Sequence, residues 1–245
     1  MERVAFMSAE FAGKVVIVAG GTGGLGRTVS LKFLAEGARV AVPWHVAEEW
    51  TALQAEAASA AGRLSGEKID VTDPEQTRKF VAGLTAKWGG LDILVNTVGG
   101  YAGGIKLWEM TAETLDRMLN LNVRAGFALA SAAVPAILTR GSGAIVNVAA
   151  KAAWDHAAGA SAYAASKAAA LAMMDSLAAD LQGSGVRVNS ILPSIIDTPA
   201  NRRAMPAADF SKWPTPDEIA RVILFLASPA ASVIHGAAIP VFGNK

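Results

Sequence analysis

Lys14-Val-Val-Ile-Val-Ala-Gly-Gly-Thr-Gly-Gly-Leu-Gly26 is the stretch that decides the fold. Its apolar, β-branched first half is typical of a parallel strand buried on both faces. Glycines at 20, 24 and 26 follow at once, and a helix pattern runs from about Gly24 to Glu36. A strand, a glycine-rich turn and a helix in this order direct backbone amides at an anion such as a pyrophosphate. The stretch therefore predicts a dinucleotide site, with a purely structural turn as the alternative.

The rest of the chain alternates between strand and helix patterns. Strands are predicted at 14–19, 39–42, near 68–69, and at 92–95, 144–148, 186–192 and 237–241. Helices are predicted at 24–36, 48–61, 74–88, 111–138, 161–182 and 216–227. This order predicts an α/β fold with a doubly wound parallel sheet (a Rossmann fold) and helices on both faces. We expect a single domain over residues 1–245, with an N-terminal arm at 1–13 and a substrate-covering loop at 193–216.

Composition excludes several classes of function. The 22 Lys and Arg nearly balance 21 Asp and Glu, which argues against nucleic acid or an anionic membrane as partner. Cysteine is absent, and His45, His156 and His235 are scattered, so we expect no metal site. No apolar run reaches the roughly 18 residues of a membrane span. With Glu2 and Glu10 near a short apolar patch, we expect no signal peptide and a cytoplasmic protein.

Tyr163 and Lys167 form a candidate catalytic pair. They are four residues apart in a strong helix pattern, so both side chains project from one face. An ammonium near a phenol stabilises the phenolate, and we expect it to lower the tyrosine pKa from about 10. Such a tyrosine can act as general acid toward a carbonyl or imine that receives hydride. The alternative is an ordinary helix pair with the lysine in water.

These features resemble the short-chain dehydrogenase/reductase family. The glycine loop is similar to the family's TGxxxGxG, with Ala19 in place of threonine, and Tyr163 to Lys167 matches YxxxK. Asp70-Val71 follows the third predicted strand, Asn96-Thr-Val-Gly99 resembles NNAG, and Pro193 to Pro199 resembles PGxxxT. The resemblance spans about residues 14–241. It implies binding of NAD(H) or NADP(H) and the transfer of a hydride.

The resemblance also implies a set of site residues. Three would be catalytic: Tyr163, Lys167 and Asn122, of which Asn122 would hold a relay water. The cofactor would contact Gly20, Thr22, Gly24, Leu25, Gly26, His45, Asp70, Val71, Asn96, Val98, Gly99, Tyr163, Lys167, Pro193, Ile196 and Thr198. The end of the second strand, Val42-Pro43-Trp44-His45, offers neither an acidic nor an arginine side chain. The choice between NAD and NADP therefore stays open.

One position departs from the family pattern. The serine that the family usually has 13 residues before the tyrosine is Ala150 here, and alanine cannot donate a hydrogen bond. The quinonoid dihydropteridine reductase branch also lacks this serine. Ala150 to Gly159, Gly99 to Gly104 and Leu192 to Trp213 resemble segments of that branch, with Tyr101 in place of a tryptophan. We expect Ala150, Trp154 and Tyr101 to face the substrate.

The leading expectation is an NAD(P)H-dependent reductase of a quinonoid dihydropterin or a similar imine, with Tyr163 as proton donor. A ketone or 3-oxoacyl reductase of the same family is one alternative. A dinucleotide-binding sensor without turnover is another. The resemblance further implies a homodimer or homotetramer built on the long helices at 111–138 and 161–182, whose alanine-rich faces suit either a partner helix or the sheet.

Overall fold

Seven parallel strands form the centre of the fold in the computed structural model, which describes residues 10–243. The strands are β1 (Val15–Ala19), β2 (Arg39–Trp44), β3 (Leu64–Lys68), β4 (Ile93–Asn96), β5 (Gly143–Val148), β6 (Val186–Pro193) and β7 (Ala238–Val241). The helices are α1 (Gly26–Ala35), α2 (Ala47–Glu56), α3 (Pro74–Trp88), α4 (Ala112–Leu119), α5 (Ala125–Leu138), α6 (Ser161–Asp180), α7 (Pro199–Ala204) and α8 (Pro216–Ala227). Of the predicted N-terminal arm, residues 1–9 lie outside the described part of the chain.

The strand order is β3-β2-β1-β4-β5-β6-β7, and every neighbouring pair is parallel. The chain builds outward from β1 to β3, then returns across the sheet to β4 on the other side of β1. This reversal opens a crevice beyond the carboxyl ends of β1 and β4, where doubly wound folds bind ligands. The predicted doubly wound sheet is confirmed.

Two hydrophobic cores lie on opposite faces of the sheet. Val16 and Val18 of β1 pack in one core with residues of α1 and α8. Val15 and Ile17 pack in the other with residues of α3, α5 and α6. Successive side chains of a strand point to opposite faces, so an unbroken apolar run in β1 fills both cores. This packing explains why the opening stretch of sequence reads as continuously hydrophobic.

The third strand is displaced from its predicted place. It spans Leu64–Lys68, whereas the sequence pattern favoured a strand near 68–69, so Asp70 follows the strand by two residues. As the edge strand of the sheet, β3 pairs only with β2, and its residues are half-buried or exposed. An edge strand needs no apolar run. For this reason hydrophobicity alone misplaced it.

The predicted helix at 111–138 contains a wide turn. Residues Asn120–Arg124 between α4 and α5 are in π-helical conformation. By length and by a mean hydropathy of 1.5, the segment Ala112–Leu138 could cross a membrane. Its Leu129, Ala133 and Ile137, however, are buried in the core beneath the sheet, which is the packing of a core helix.

The predicted substrate-covering loop at 193–216 is partly helical. It contains α7 and a short 3₁₀ turn at Phe210–Lys212. Arg202 and Asp197 form a two-pronged ion pair within the loop, and the Arg202 guanidinium lies 4.9 Å from the centre of the Phe210 ring. Trp213 is buried against Phe210. These contacts order the loop from within.

Candidate active site

A cavity of about 520 Å³ lies at the crevice between β1 and β4. Its walls come from the β1–α1 loop, the end of β2, the segment after β3 and the segment after β4. The predicted cofactor residues on its lining are Gly20, Thr22, Gly24, His45, Asp70, Val71, Val98 and Gly99. The structure thus brings together four separate stretches of sequence that were singled out for dinucleotide binding.

The β1–α1 loop is shaped by close backbone packing. Gly20 has a φ of +75°, a conformation that favours glycine. A Cβ atom on Gly26 would collide with the Gly20 carbonyl oxygen and lie 2.6 Å from Thr97 Oγ1. Leu25, between the loop glycines, is buried in the core. Gly26 and Leu25 therefore hold the loop against the sheet, while Gly20, Thr22, Gly23 and Gly24 line the cavity.

The far end of the loop meets the 193–216 segment. A Cβ atom on Gly24 would lie 3.0 Å from Thr198 Cγ2, so Thr198 closes over the glycine loop. Thr198 Oγ1 also accepts a hydrogen bond from the Asn201 amide and caps α7. Pro193 ends β6 in a buried position, and Ile196 packs on the core, so these two position the segment rather than line the cavity.

Asn96 and Asp70 shape the cavity walls. The Asn96 amide is buried; it donates to Asn147 Oδ1 at 3.0 Å and accepts from the Val98 amide at 3.1 Å. It fixes the turn after β4. The Asp70 carboxylate accepts from the Thr72 amide and hydroxyl, both at 2.8 Å, which fixes the turn after β3.

These walls fit a dinucleotide. Because the loop residues are mostly glycines, few side chains fill the space above the loop. The backbone amides at the start of α1 are free to bind an anion in that space. At Gly99, a Cβ atom would lie 2.8 Å from both Lys167 Nζ and Asn122 Oδ1. The cavity therefore reaches directly to the candidate catalytic groups.

Lys167 is buried on α6, one turn after Tyr163. Its Nζ donates to the Val148 carbonyl oxygen at 3.2 Å. Burial lowers the pKa of Lys167 to about 8, because the charged form loses its hydration. The ammonium is thus held at the inner end of the cavity and not in water, which rules against the ordinary helix pair with a solvated lysine.

The pKa of Tyr163 is raised, whereas the sequence predicted a lowered one. Burial raises the pKa of Tyr163 to about 12, and the neighbouring Tyr101 adds to the rise. The larger cause is burial, which disfavours the charged phenolate. The phenol is consequently protonated at neutral pH, which is the state that a proton donor requires.

Asn122 sits in the π-helical turn and joins two parts of the site. Its Oδ1 accepts from the Gly100 amide at 2.9 Å, and its Nδ2 donates to the Gly100 carbonyl oxygen and to Ser166 Oγ. Ser166 in turn donates to the Tyr163 carbonyl oxygen at 2.8 Å. The Asn122 side chain thereby ties the loop after β4 to the helical turn that carries Tyr163. Its water-holding role stays a prediction.

The three expected substrate residues occupy different environments. Tyr101 is 66% exposed, and its ring lies edge-on to that of Tyr163. Ala150 is buried at the end of β5, where it presents only a methyl group. Trp154 is half-exposed after a 3₁₀ turn at Lys151–Ala153. The Ile105 amide donates to the Gly159 carbonyl oxygen, so the segments that carry Tyr101 and Ala150 touch.

Sequence reasoning missed two residues of the site. Glu49, in the first turn of α2, lines the cavity and accepts a hydrogen bond from Thr22. Its signal was an acidic residue shortly after β2. Ser166 links Asn122 to Tyr163, and its signal was a small hydroxyl side chain immediately before Lys167.

The fold has a parallel sheet, a glycine-loop cavity and, next to that cavity, a buried lysine one helical turn after a tyrosine. This combination is typical of a nicotinamide-dinucleotide-dependent oxidoreductase. The short chain dehydrogenase family matches residues 14–209. The chain belongs to the short-chain dehydrogenase/reductase family, and its cofactor is NAD(H) or NADP(H).

Curated relatives cover nearly the whole chain. The 3-oxoacyl-[acyl-carrier-protein] reductase FabG of Thermotoga maritima is 32% identical over 240 residues, which are 95% of this chain and 97% of the relative. The D-threitol dehydrogenase of Mycolicibacterium smegmatis is 35% identical over 241 residues, 95% of this chain and 92% of the relative. Both names describe carbonyl–alcohol chemistry. None of the relatives described here is a dihydropteridine reductase.

Solved structures agree with the fold and the cofactor class. ElxO with NADP bound superimposes with a TM-score of 0.88 at 25% identity, over 94% of this chain and 97% of the other. A short-chain type dehydrogenase/reductase from Mycobacterium ulcerans superimposes with a TM-score of 0.90 at 26% identity, over 95% and 90%.

Proposed function

We propose that this protein interconverts a ketone or 3-oxoacyl group and the corresponding secondary alcohol with a nicotinamide cofactor. The observation that carries the proposal is the buried Lys167, one helical turn after Tyr163 on α6, whose Nζ would lie 2.8 Å from a Cβ atom on the cavity-lining Gly99. Burial also raises the pKa of the Tyr163 phenol to about 12. The names of the relatives support carbonyl chemistry more than the pterin hypothesis.

The chemistry divides between cofactor and protein. When bound, the nicotinamide supplies the hydride that reaches the carbonyl carbon. Tyr163 Oη gives its proton to the carbonyl oxygen, so the C=O bond becomes an alcohol without a free alkoxide. The Lys167 ammonium stabilises the phenolate that remains. Asn122 and Ser166 hold the turn on which Tyr163 sits.

Ala150 leaves the substrate oxygen with one fewer donor. Its side chain cannot hydrogen-bond, so Tyr163 would hold that oxygen without the usual serine. Removal of one such donor from an enzyme costs roughly 10²–10³ in rate. We therefore expect modest rates on simple ketones, or a substrate whose transition state places less charge on oxygen.

A quinonoid dihydropterin is such a substrate, and it is the second candidate. Hydride addition to this conjugated imine restores a stable ring and develops less localised oxyanion character. The contact between the segments that carry Tyr101 and Ala150 favours it, since both segments resemble the pterin-reducing branch. Tyr101 and Trp154, both exposed, offer faces for a planar ring.

The experiment measures NADH and NADPH oxidation with a 3-oxoacyl thioester, a set of ketones and quinonoid dihydropterin, for the natural protein and for Ala150→Ser. Ketone turnover that rises about tenfold or more in the variant supports the carbonyl proposal. Pterin turnover that exceeds ketone turnover and is unchanged by Ala150→Ser would favour the second candidate. Dinucleotide binding with no turnover of any substrate would indicate the sensor.

The homodimer or homotetramer stays a prediction. Phe127 of α5 is 52% exposed, and Leu119 and Leu138 are also exposed, so three large apolar side chains are available to a partner. By contrast, Ala130 and Ala133 are buried in the core beneath the sheet and Ala128 is buried as well, so these alanines are not available to a partner helix. Sedimentation of the purified protein measures its mass in solution and so tests whether it is a dimer or a tetramer.

A further inference from the structure

The adenosine end of the cavity has an unusual charge pattern. Within the part of the chain that the structure describes, its lining contains two carboxylates, Glu49 and Asp70, and neither lysine nor arginine. His45 also borders the cavity and is exposed. The phosphate that distinguishes NADP from NAD is dianionic, and proteins that accept it usually offer an arginine. This lining offers none.

The nearest loop arginine is engaged elsewhere. Arg27 of α1 donates from Nε and Nη2 to the Thr22 carbonyl oxygen, both at 3.2 Å. Its Nη1 forms an ion pair with Glu56 at 3.1 Å. The guanidinium is therefore held by the back of the glycine loop and by the last turn of α2, and it is not part of the cavity lining.

Glu49 is fixed in place by the glycine loop itself. The hydroxyl of the buried Thr22 donates to Glu49 Oε2 at 2.8 Å. Thr22 stands among the glycines of the pyrophosphate loop, and Asp70 and Val71 line the same cavity. The Glu49 carboxylate thus borders the glycine loop and shares the cavity lining with Trp44 and His45 at the end of β2, the region where the adenosine ribose belongs.

We propose that Glu49, tethered by Thr22, selects NAD(H) over NADP(H). Its free carboxylate lone pairs accept hydrogen bonds from the ribose hydroxyls of NAD. A phosphate on the same ribose would face this carboxylate, and two anions at close range repel each other. Glu49 thereby replaces an acidic residue at the end of β2, a position that Trp44 and His45 occupy here. The inference rests on the dinucleotide-dependent function proposed above.

The test is equilibrium binding of NADH and of NADPH to the substrate-free protein by calorimetry. We compare the natural protein with Glu49→Gln, which keeps an acceptor for Thr22 but removes the charge. Glu48→Gln is the matched control, because it removes one charge from the same helical turn at a residue outside the cavity. Thermal unfolding of each variant verifies that the fold is intact. Thr22→Val provides a second variant that keeps the carboxylate but removes its tether.

We expect the natural protein to bind NADH at least about tenfold more tightly than NADPH. Glu49→Gln should reduce this ratio about tenfold, chiefly by tighter NADPH binding, and Thr22→Val should reduce it less. Glu48→Gln should preserve it. NADPH bound as tightly as NADH by the natural protein, or an equal effect of Glu48→Gln and Glu49→Gln, would overturn the selection by Glu49. Failure to bind either dinucleotide would overturn the dinucleotide-dependent function as well.

Discussion

The ring of Tyr101 lies edge-on to the ring of Tyr163, with the ring centres 4.9 Å apart and the planes inclined by 74°. Tyr101 comes from the segment after β4, and Tyr163 from α6. The contact covers one side of the Tyr163 ring, and Tyr101 also contributes to the raised pKa of Tyr163. An exposed residue therefore adds to the effect of burial on the ionisation of the proposed proton donor.

This contact can be tested because the chain contains only two tyrosines. In Tyr101→Phe and Tyr101→Ala, Tyr163 is the sole tyrosine, and its ionisation is read from tyrosinate absorbance. We expect the pKa of Tyr163 to be lower in Tyr101→Ala than in Tyr101→Phe, because the loss of the ring admits water to the phenolate. Equal values in the two variants would show that Tyr101 does not shield Tyr163.

The buried ammonium of Lys167 predicts a pH dependence of reduction. Burial lowers the pKa of Lys167 to about 8, so the side chain is charged below that pH and neutral above it. Tyr163, whose pKa is raised to about 12, remains protonated throughout this interval. We expect kcat/KM for ketone reduction to fall as the pH rises through about 8. A profile that stays level well above this pH would contradict a role for the lysine charge.

Lys167 also predicts a cost in stability. Its folded pKa of about 8 lies below the ordinary value of 10.5, so folding at neutral pH must desolvate a charge. Lys167→Met should abolish turnover and raise the free energy of unfolding at pH 7 by on the order of 1–3 kcal/mol. The gain should shrink as the pH rises toward the ordinary lysine pKa, because the natural protein then folds with a neutral amine.

Denaturant unfolding at neutral and alkaline pH measures this difference. Lys151→Met is a suitable control, because Lys151 is about half-exposed and forms a surface ion pair with Asp155. Lys151→Met should therefore change the free energy of unfolding only slightly. A Lys167→Met protein that is less stable than the natural one at neutral pH would show that the ammonium stabilises the fold.

The glycine loop offers a steric prediction. Gly26→Ala places a methyl group against the Gly20 carbonyl oxygen, so the loop must shift at a cost of about 1–3 kcal/mol. We expect lower stability and NADH binding weakened about tenfold or more. In Gly23→Ala the new methyl group would lie 3.4 Å from the same oxygen, an ordinary contact, and the fold should keep its stability. Equal unfolding temperatures for the two variants would contradict the packing role of Gly26.

The sequence could predict those parts of the fold that depend on local patterns. The apolar run of β1 and the glycines after it are readable because a strand buried on both faces and a tight turn need those residue types at those positions. The 74–88 helix was predicted with its correct bounds, because Asp73 caps it and Gly89 ends it. Strand β3 could not be placed, since an edge strand carries no apolar pattern.

The remainder of the site depends on contacts between distant residues. Glu49 and Thr22 form a hydrogen bond although they are 27 residues apart in the sequence, and Ser166 and Asn122 do so at a separation of 44 residues. Neither pairing has a local pattern. The raised pKa of Tyr163 likewise depends on how deeply the ring is buried, which the spacing to Lys167 does not reveal. The sequence thus indicated the candidate site residues, and the structure shows which contacts hold them in place.

The central claim, that Tyr163 donates the proton in a nicotinamide-dependent reduction, is tested most directly by Tyr163→Phe. This change removes one oxygen, and Tyr101→Phe removes the same atom from the adjacent ring. The measurement is the rate of NADH and NADPH oxidation with the best substrate of the panel, together with the dinucleotide affinity of each protein. We predict that Tyr163→Phe binds dinucleotide normally but reduces kcat by about 10²-fold or more, while Tyr101→Phe retains most activity. Turnover by Tyr163→Phe at the rate of the natural protein would contradict the account.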